Sequence, residues 1–216
     1  MRCPVRIAAL AAVAMVATAC SGGEFDGQAQ PQPSSPAAST VTAAPSSASG
    51  DAQELPHSGA PAVTNPLPRS VLDGDPCSDA LTKAQAEKFF GDAVTSEDAD
   101  EPRLGPGCRW SNQEALAGFT LNYATATGGG LSTAYANIKP QADHFAEVEP
   151  IDGFPAVQYW HSDDKRTCST VVGISDEYAV IMTLGVGSKS AEEGDDPCEA
   201  SRIVMERVVG NLKAKA

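Results

Sequence analysis

The chain has 216 residues, and its 15 Lys+Arg against 28 Asp+Glu give a formal net charge of −13. A surface of that sign repels polyphosphate, because nucleic-acid affinity comes mainly from Lys and Arg displacing condensed counterions, so nucleic acid is excluded as a partner. Small cations and basic proteins remain compatible with it, although acidity more often serves solubility. Aromatic residues make up 6%, and much of the apolar content is alanine in the first fifty residues. The core must therefore come from the second half of the chain.

At the start, Arg2 and Arg6 precede an apolar run, Ile7 to Val16, and the small residues Ala17-Thr18-Ala19 follow. A positive segment, an apolar segment and a small-residue cut define a secretory signal over residues 1–19. A membrane-spanning helix needs roughly 20 apolar residues, whereas this run ends after about 14. Val13 to Cys20 resembles the processing site of a bacterial lipoprotein, whose cysteine is lipidated and becomes the new N-terminus. Such sites prefer Leu, Val or Ile three residues before the cysteine, and Ala17 stands there. Plain cleavage at Ala17-x-Ala19, leaving a free Cys20, is the alternative. The resemblance implies a diacylglycerol on Cys20. One acyl chain holds only marginally, at about 0.8 kcal/mol per buried CH₂, and two hold stably. With Arg2 and Arg6 removed, 13 cations face 28 carboxylates and the mature charge is −15.

Residues 20–70 read as a lipidated N-terminus and linker, with eight prolines among Ser, Thr, Ala, Gly and Gln. Such a segment buries too little apolar surface to offset chain entropy, so disorder with polyproline character is expected, with His57 in solvent. Its coil dimension is on the order of 40 Å and its stretched length roughly 150 Å. The composition also suits a glycosylated stalk.

The composition changes near Val71, and residues 71–216 carry Cys77, Cys108, Cys168 and Cys198. In an exported chain four cysteines imply disulfides, with three pairings open. No Cys-x-x-Cys occurs and no His follows at ligand spacing, so no metal is expected. Asp75-Pro76-Cys77 and Asp196-Pro197-Cys198 both read as helix starts, with Asp at N-cap and Pro at N1. Cys108 and Cys168 lie in strand-like sequence. Cys77–Cys108 and Cys168–Cys198 would each tie a helix start to a strand; the sequence leaves crossed pairings open.

Other elements follow in order. Thr82 with Gln85 caps a short helix bearing Ala86, Phe89 and Phe90 and stopping at Gly91. Residues 92–107 read as an acidic loop. Phe119, Leu121 and Tyr123 alternate with polar or small residues as a strand. Gly128-Gly129-Gly130 leads, with Ser132 as cap, into a helix ending near Pro140. Phe145–Ile151 and Ala156–His161 read as strands around the turn at Asp152-Gly153. The alternations at Thr170/Val172/Ile174 and Val180/Met182/Leu184/Val186 predict a hairpin turning at Ser175–Glu177. A final helix, 197–213, presents Met205, Val208, Val209 and Leu212 at helical spacing. The expected class is α+β, a mainly antiparallel sheet packed with helices and stapled by two disulfides.

From residue 75 to 213 the chain resembles the actinobacterial cell-envelope lipoproteins of the DUF3558 family. The features that carry the resemblance are Asp-Pro-Cys with Leu81-Thr82, Gly107-Cys108-x-Trp110, Gly153-x-Pro155-Ala156, Cys168-x-x-Val171 and the second Asp-Pro-Cys. The resemblance implies an address at the cell membrane, on its extracytoplasmic face, and brings no activity with it.

Chemistry-bearing candidates are few. Gly128–Gly130 before Ser132 and Thr133 lacks the Lys of a phosphate loop, since Leu131 stands in its place. The clusters Glu97/Asp98/Asp100/Glu101 and Glu192/Glu193/Asp195/Asp196 lack the glycine-centred spacing of a calcium loop. His144 and His161 have no Gly-x-Ser-x-Gly nucleophile to serve. Tyr159 and Trp160 face opposite sides of a predicted strand, with His161 on the Tyr159 side, and form the candidate ligand contacts. The expectation is a non-catalytic module without cofactor that binds or senses a small molecule or another envelope protein. A structural or accessory subunit of an envelope complex is the alternative, and an envelope hydrolase stands third.

Overall fold

A computed structural model describes residues 54–161 and 166–216. The signal, Cys20 and the linker as far as residue 53 lie outside the described residues.

Seven strands form one antiparallel sheet in the order β1-β2-β3-β7-β6-β5-β4. They are β1 (Thr95–Asp98), β2 (Gly107–Asn112), β3 (Ala117–Ala124), β4 (His144–Ile151), β5 (Phe154–Trp160), β6 (Thr167–Gly173) and β7 (Ala179–Gly185). Two meanders, β1–β2–β3 and β4–β5–β6–β7, meet where β3 pairs with β7, Leu121 opposite Met182. Asp152 (φ 51°) and Gly153 (φ 91°) make the two-residue turn between β4 and β5. Two successive positive φ values match strand twist in such a hairpin, which is why Asp-Gly stands there. The outer strands resist further pairing. β1 is Thr-Ser-Glu-Asp, exposed throughout, and β4 carries Glu147, Glu149, Pro150 and a register shift before Ile151. Charge, proline and irregularity are how sheet edges avoid recruiting another strand.

Period-two alternation divides the sheet into two faces. Phe119, Leu121, Tyr123, Val172, Val180, Met182 and Leu184 enter the main core. Helix α5 (Pro197–Lys213) closes that core, burying Val204, Met205, Val208, Val209 and Leu212. Each such side chain contributes about 1.5–3 kcal/mol of hydrophobic burial. Short α1 (Pro76–Asp79) and α2 (Lys83–Phe90) cover the β2 side. Both helix starts read from Asp-Pro-Cys are present: the Asp75 and Asp196 carboxylates each accept from the N–H of the following cysteine, at 2.8 Å. Thr82 and Gln85 form a reciprocal capping box, and Gly91 (φ 83°) ends α2.

The disulfides Cys77–Cys108 and Cys168–Cys198 fasten α1 to β2 and α5 to β6. Beneath α5 a polar chain is fully partnered: Gln158 Nε2 donates to Thr170 Oγ1 (3.1 Å) and to the Cys198 carbonyl (2.7 Å), and Thr170 and Ser201 hydroxyls meet at 2.7 Å. Buried polar groups cost stability unless paired, so this set fixes where α5 sits across the strands.

The opposite face carries a smaller cluster, Val157, Tyr159, Val171 and Ala179, under Leu131, Ala134 and Tyr135. These last come from α3 (Gly130–Thr133) and the wider π-helical turn Ala134–Ile138 that continues it. Four expectations need correction here. Residues 54–70, read as the end of the disordered linker, are a strap laid against the domain. Val63 is buried and its N–H donates to Asp176 Oδ1 at 2.8 Å, while Leu67 N–H reaches the Ile174 carbonyl. His57 is half-buried rather than solvated, and its backbone N–H donates to Ser132 Oγ at 2.9 Å. Ser132 therefore serves the strap, and Gly129 occupies the N-cap of α3. The physical reason is apolar burial: Ala60 packs against the second cluster, and Val63 and Leu67 join the main core. A proline-rich segment loses little backbone entropy when it docks. The fourth correction is β1, inside the stretch read as loop. Its four exposed polar residues show no alternation, and pairing with β2 alone makes it a strand. A short α4 (Ser188–Glu193) also precedes α5.

Candidate functional site

Helix α5 has a second face. Positions 200, 203, 207 and 210 recur at helical spacing, and Ala200, Ile203, Arg207 and Gly210 line up beside the buried stripe. Ile203 is 47% exposed, and with Leu116 it is one of the two exposed large apolar side chains among the described residues. Across from it, α2 ends in Phe89-Phe90, both half-buried. Both pack against the main core while keeping part of their rings exposed. Phe90 stacks on Phe119 (4.9 Å between centroids), which stacks on Trp110 (4.5 Å).

Between these helices runs an open groove of two lobes that share Phe89 and Ile203. The apolar lobe, about 510 Å³, has Phe90, Leu184, Val186, Ala200 and Val204 in its walls and ends at Asp195, Asp196 and Glu199. The other lobe, about 900 Å³, is bounded by Gln85, Lys88, Asp152, Glu206 and Arg207. Its carboxylates are matched: Asp152 pairs with Lys213 at 2.9 Å and Glu206 with Arg202 at 3.2 Å. Charge is thus uneven along the groove: carboxylates gather where α4 meets α5, whereas the far end holds Lys88 and Arg207 beside carboxylates already paired with Lys213 and Arg202.

The walls are braced. Gln85 and Asn211 exchange side-chain hydrogen bonds (3.2 and 2.8 Å) and join α2 to α5. Asn112 Nδ2 donates to the Phe90 carbonyl at 2.7 Å, fixing the end of α2 on β2. Gly187, before α4, lies so close to the Ala115 carbonyl that a Cβ would fall 2.1 Å from its oxygen, so only glycine lets these chains meet at the groove's end. An apolar concavity held open by fixed walls, with polar groups at its margin, is the usual form of a binding site.

The candidate ligand contacts do not converge. Tyr159 is buried in the second cluster, where burial pushes its phenol up against a hydrogen bond with Ser169 that lowers it. His161 is exposed and meets the Tyr159 ring edge-on, at 5.6 Å between centroids. Trp160 lies on the α5 side, stacked on His144 at 4.6 Å, and borders a pocket of about 280 Å³ with Gln158, Thr167 and Asp196. Tyr159 and Trp160 thus point to opposite faces, as their adjacency requires, and no single site uses all three. Elsewhere, Asp75, Cys77 and Asp98 bring ligand-type atoms within 4.8 Å of one another. Cys77 is bonded to Cys108, so it offers no thiolate, and the cluster reduces to two exposed carboxylates. At the glycine run, Gly130 N–H donates to the Glu177 carbonyl at 2.9 Å, which takes up a donor a phosphate would need.

Sequence periodicity did carry a sign of the groove: Ile203 lies on the opposite side of α5 from Leu212, and it follows Ala200 by one turn. What periodicity lacked was the facing wall, because α2 is 113 residues away from Ile203 along the chain, counted from Phe90.

No curated protein and no solved structure matches the chain. A family model described as "Protein of unknown function (DUF3558)" matches residues 15–211. Spanning both Asp-Pro-Cys helix starts, the sheet and the groove, that match makes the chain a member of the DUF3558 family.

Proposed function

We propose that the mature protein is a lipid-anchored lipoprotein on the extracytoplasmic face of an actinobacterial cell membrane, and that its domain is a non-catalytic binding module. The anchor rests on Val13–Cys20 and on the family resemblance. Export is supported by two disulfides in one small domain, since such bonds persist in oxidising compartments. No helix among the described residues is long and apolar enough to cross a membrane, and acylation at Cys20 supplies the attachment without one.

The observation that carries the binding role is the braced groove between α2 and α5. An accessory subunit working through a flat patch would expose a contiguous apolar area. Among the described residues the exposed large apolar side chains are Leu116 and Ile203, and the remaining accessible apolar surface lines a concavity instead.

Two measurements test the proposal. Replacing Cys20→Ala should release the protein into the medium; retention in the membrane fraction would overturn the anchor. The soluble Cys20→Ala protein should enhance and blue-shift the fluorescence of the neutral dye Nile red, and Ile203→Ser should abolish most of that signal. Equal signals from both proteins would remove the groove from the account.

A further inference from the structure

We infer that the groove's occupant is an apolar segment of another envelope polypeptide that carries lysine or arginine, its cation held at Asp195, Asp196 and Glu199. This rests on the binding-module reading and names the partner's chemistry.

Charge supplies the first argument. The apolar lobe ends in three carboxylates and no Lys or Arg lines it among the described residues. Lys189 on the neighbouring α4 pairs with Glu193 at 3.8 Å. The α5 N-terminus brings only about half a positive charge, and Asp196 already caps it. The end of the groove is therefore net negative and selects a cation. The far lobe, where Lys88 and Arg207 stand beside carboxylates that already have partners, does not.

The same charge rejects other occupants. From Cys20 to Pro68 the protein's own linker contains no Lys or Arg, so it brings nothing for the acidic end. A second copy presents residues 54–216 with 13 cations and 25 carboxylates, and like charges across an interface are costly. Anionic lipid headgroups are repelled for the same reason. Form supplies the second argument. Each lobe alone has the volume of a complete small-molecule pocket, yet both are open to solvent and they adjoin at Phe89 and Ile203, which line the two alike. A floor of that kind suits successive apolar side chains of a peptide segment, in the manner of helix-in-groove recognition.

The test uses the mature Cys20→Ala protein and three synthetic peptides of about fifteen residues: amphipathic Leu/Lys, Leu/Glu in the same pattern, and Ser/Lys with the first peptide's charge. Binding is read by isothermal calorimetry. The Leu/Lys peptide should bind about tenfold or more tightly than either of the others. Its affinity should fall about tenfold with Ile203→Ser and again with Asp195→Asn/Glu199→Gln, all exposed positions that leave the Asp196 cap intact. The inference is overturned if Leu/Lys does not bind, if Ser/Lys or Leu/Glu binds as well, or if Ile203→Ser has no effect. Sedimentation that shows a dimer dissociated by Ile203→Ser would assign the groove to a second copy and overturn it too. Should Nile red occupy the groove while the Leu/Lys peptide does not, the peptide inference fails and the binding module stands.

Discussion

Removing the Cys168–Cys198 bond is the most quantitative test of how the fold is held. The bond spans 30 residues and the other, Cys77–Cys108, spans 31. In the chain-entropy model a loop of that size stabilises by about 3.6 kcal/mol. A domain of this length melts about 2–4 °C lower for each kcal/mol lost, so either bond alone should account for about 7–14 °C. Alanine is the replacement of choice, because Cys108 and Cys168 are fully buried and serine would strand a hydroxyl at a cost of about 1–3 kcal/mol. Thermal melts followed by circular dichroism on Cys168→Ala/Cys198→Ala and Cys77→Ala/Cys108→Ala, in the Cys20→Ala background, give the two shifts. Losing both bonds should remove about 7 kcal/mol, comparable with the whole stability of an ordinary domain, and leave no cooperative transition near physiological temperature. A shift below about 3 °C for either pair would refute the reasoning, since it would mean that the helix starts are held by packing alone. The Cys168–Cys198 variant should also weaken Nile red binding, because the released first turn of α5 carries Ala200 in the wall of the apolar lobe.

Four further outcomes are expected. Tyr123 is fully buried, and its hydroxyl has no hydrogen-bond partner among the described residues, so Tyr123→Phe should be neutral or stabilising by up to about 1 kcal/mol in a urea melt; a loss of more would mean the hydroxyl is paired. Burial, then the charges of Asp79 and Asp75, hold the Tyr123 phenol well above its ordinary value of 10. The folded state thus keeps a proton that the unfolded state releases, so stability should fall as pH rises past about 10, and less steeply in Tyr123→Phe. Leu116 sits at φ 52° and is 70% exposed. Leu116→Gly relieves left-handed strain at little packing cost and should raise the melting temperature by a few degrees, a gain of about 1 kcal/mol. Removing the α5 cap with Asp196→Ala should cost about 1 kcal/mol in the same melt.

Local rules made most of the fold legible. Alternation at Phe119/Leu121/Tyr123 and at Val180/Met182/Leu184 identified strands and core face together, because side-chain period and burial are the same fact in a sheet. Asp-Pro-Cys twice announced a helix start with a cysteine in its first turn, and that placement is where both disulfides lie. The failures share a cause. β1 has no apolar residue to alternate, so only its partner strand defines it. The strap from residue 54 is proline-rich and polar like the sequence before it, and its order comes from partners more than a hundred residues later, Asp176 and Ile174 among them. Ser132 looked like a cap because a hydroxyl before a helix usually is one; the strap's His57 N–H claimed it. The groove was half legible for the same reason. Periodicity leaves Ile203 outside the stripe of Met205, Val208, Val209 and Leu212, and the facing Phe89-Phe90 became its neighbours only through tertiary packing.

Native mass spectrometry of the mature protein purified from its host envelope bears most directly on the central claim, that the α2–α5 groove is the working surface. The account predicts a reproducible bound polypeptide of basic, apolar sequence on the wild-type protein, depleted in Ile203→Ser purified in the same way. Equal occupancy on the two proteins, or none on the wild type, would contradict it.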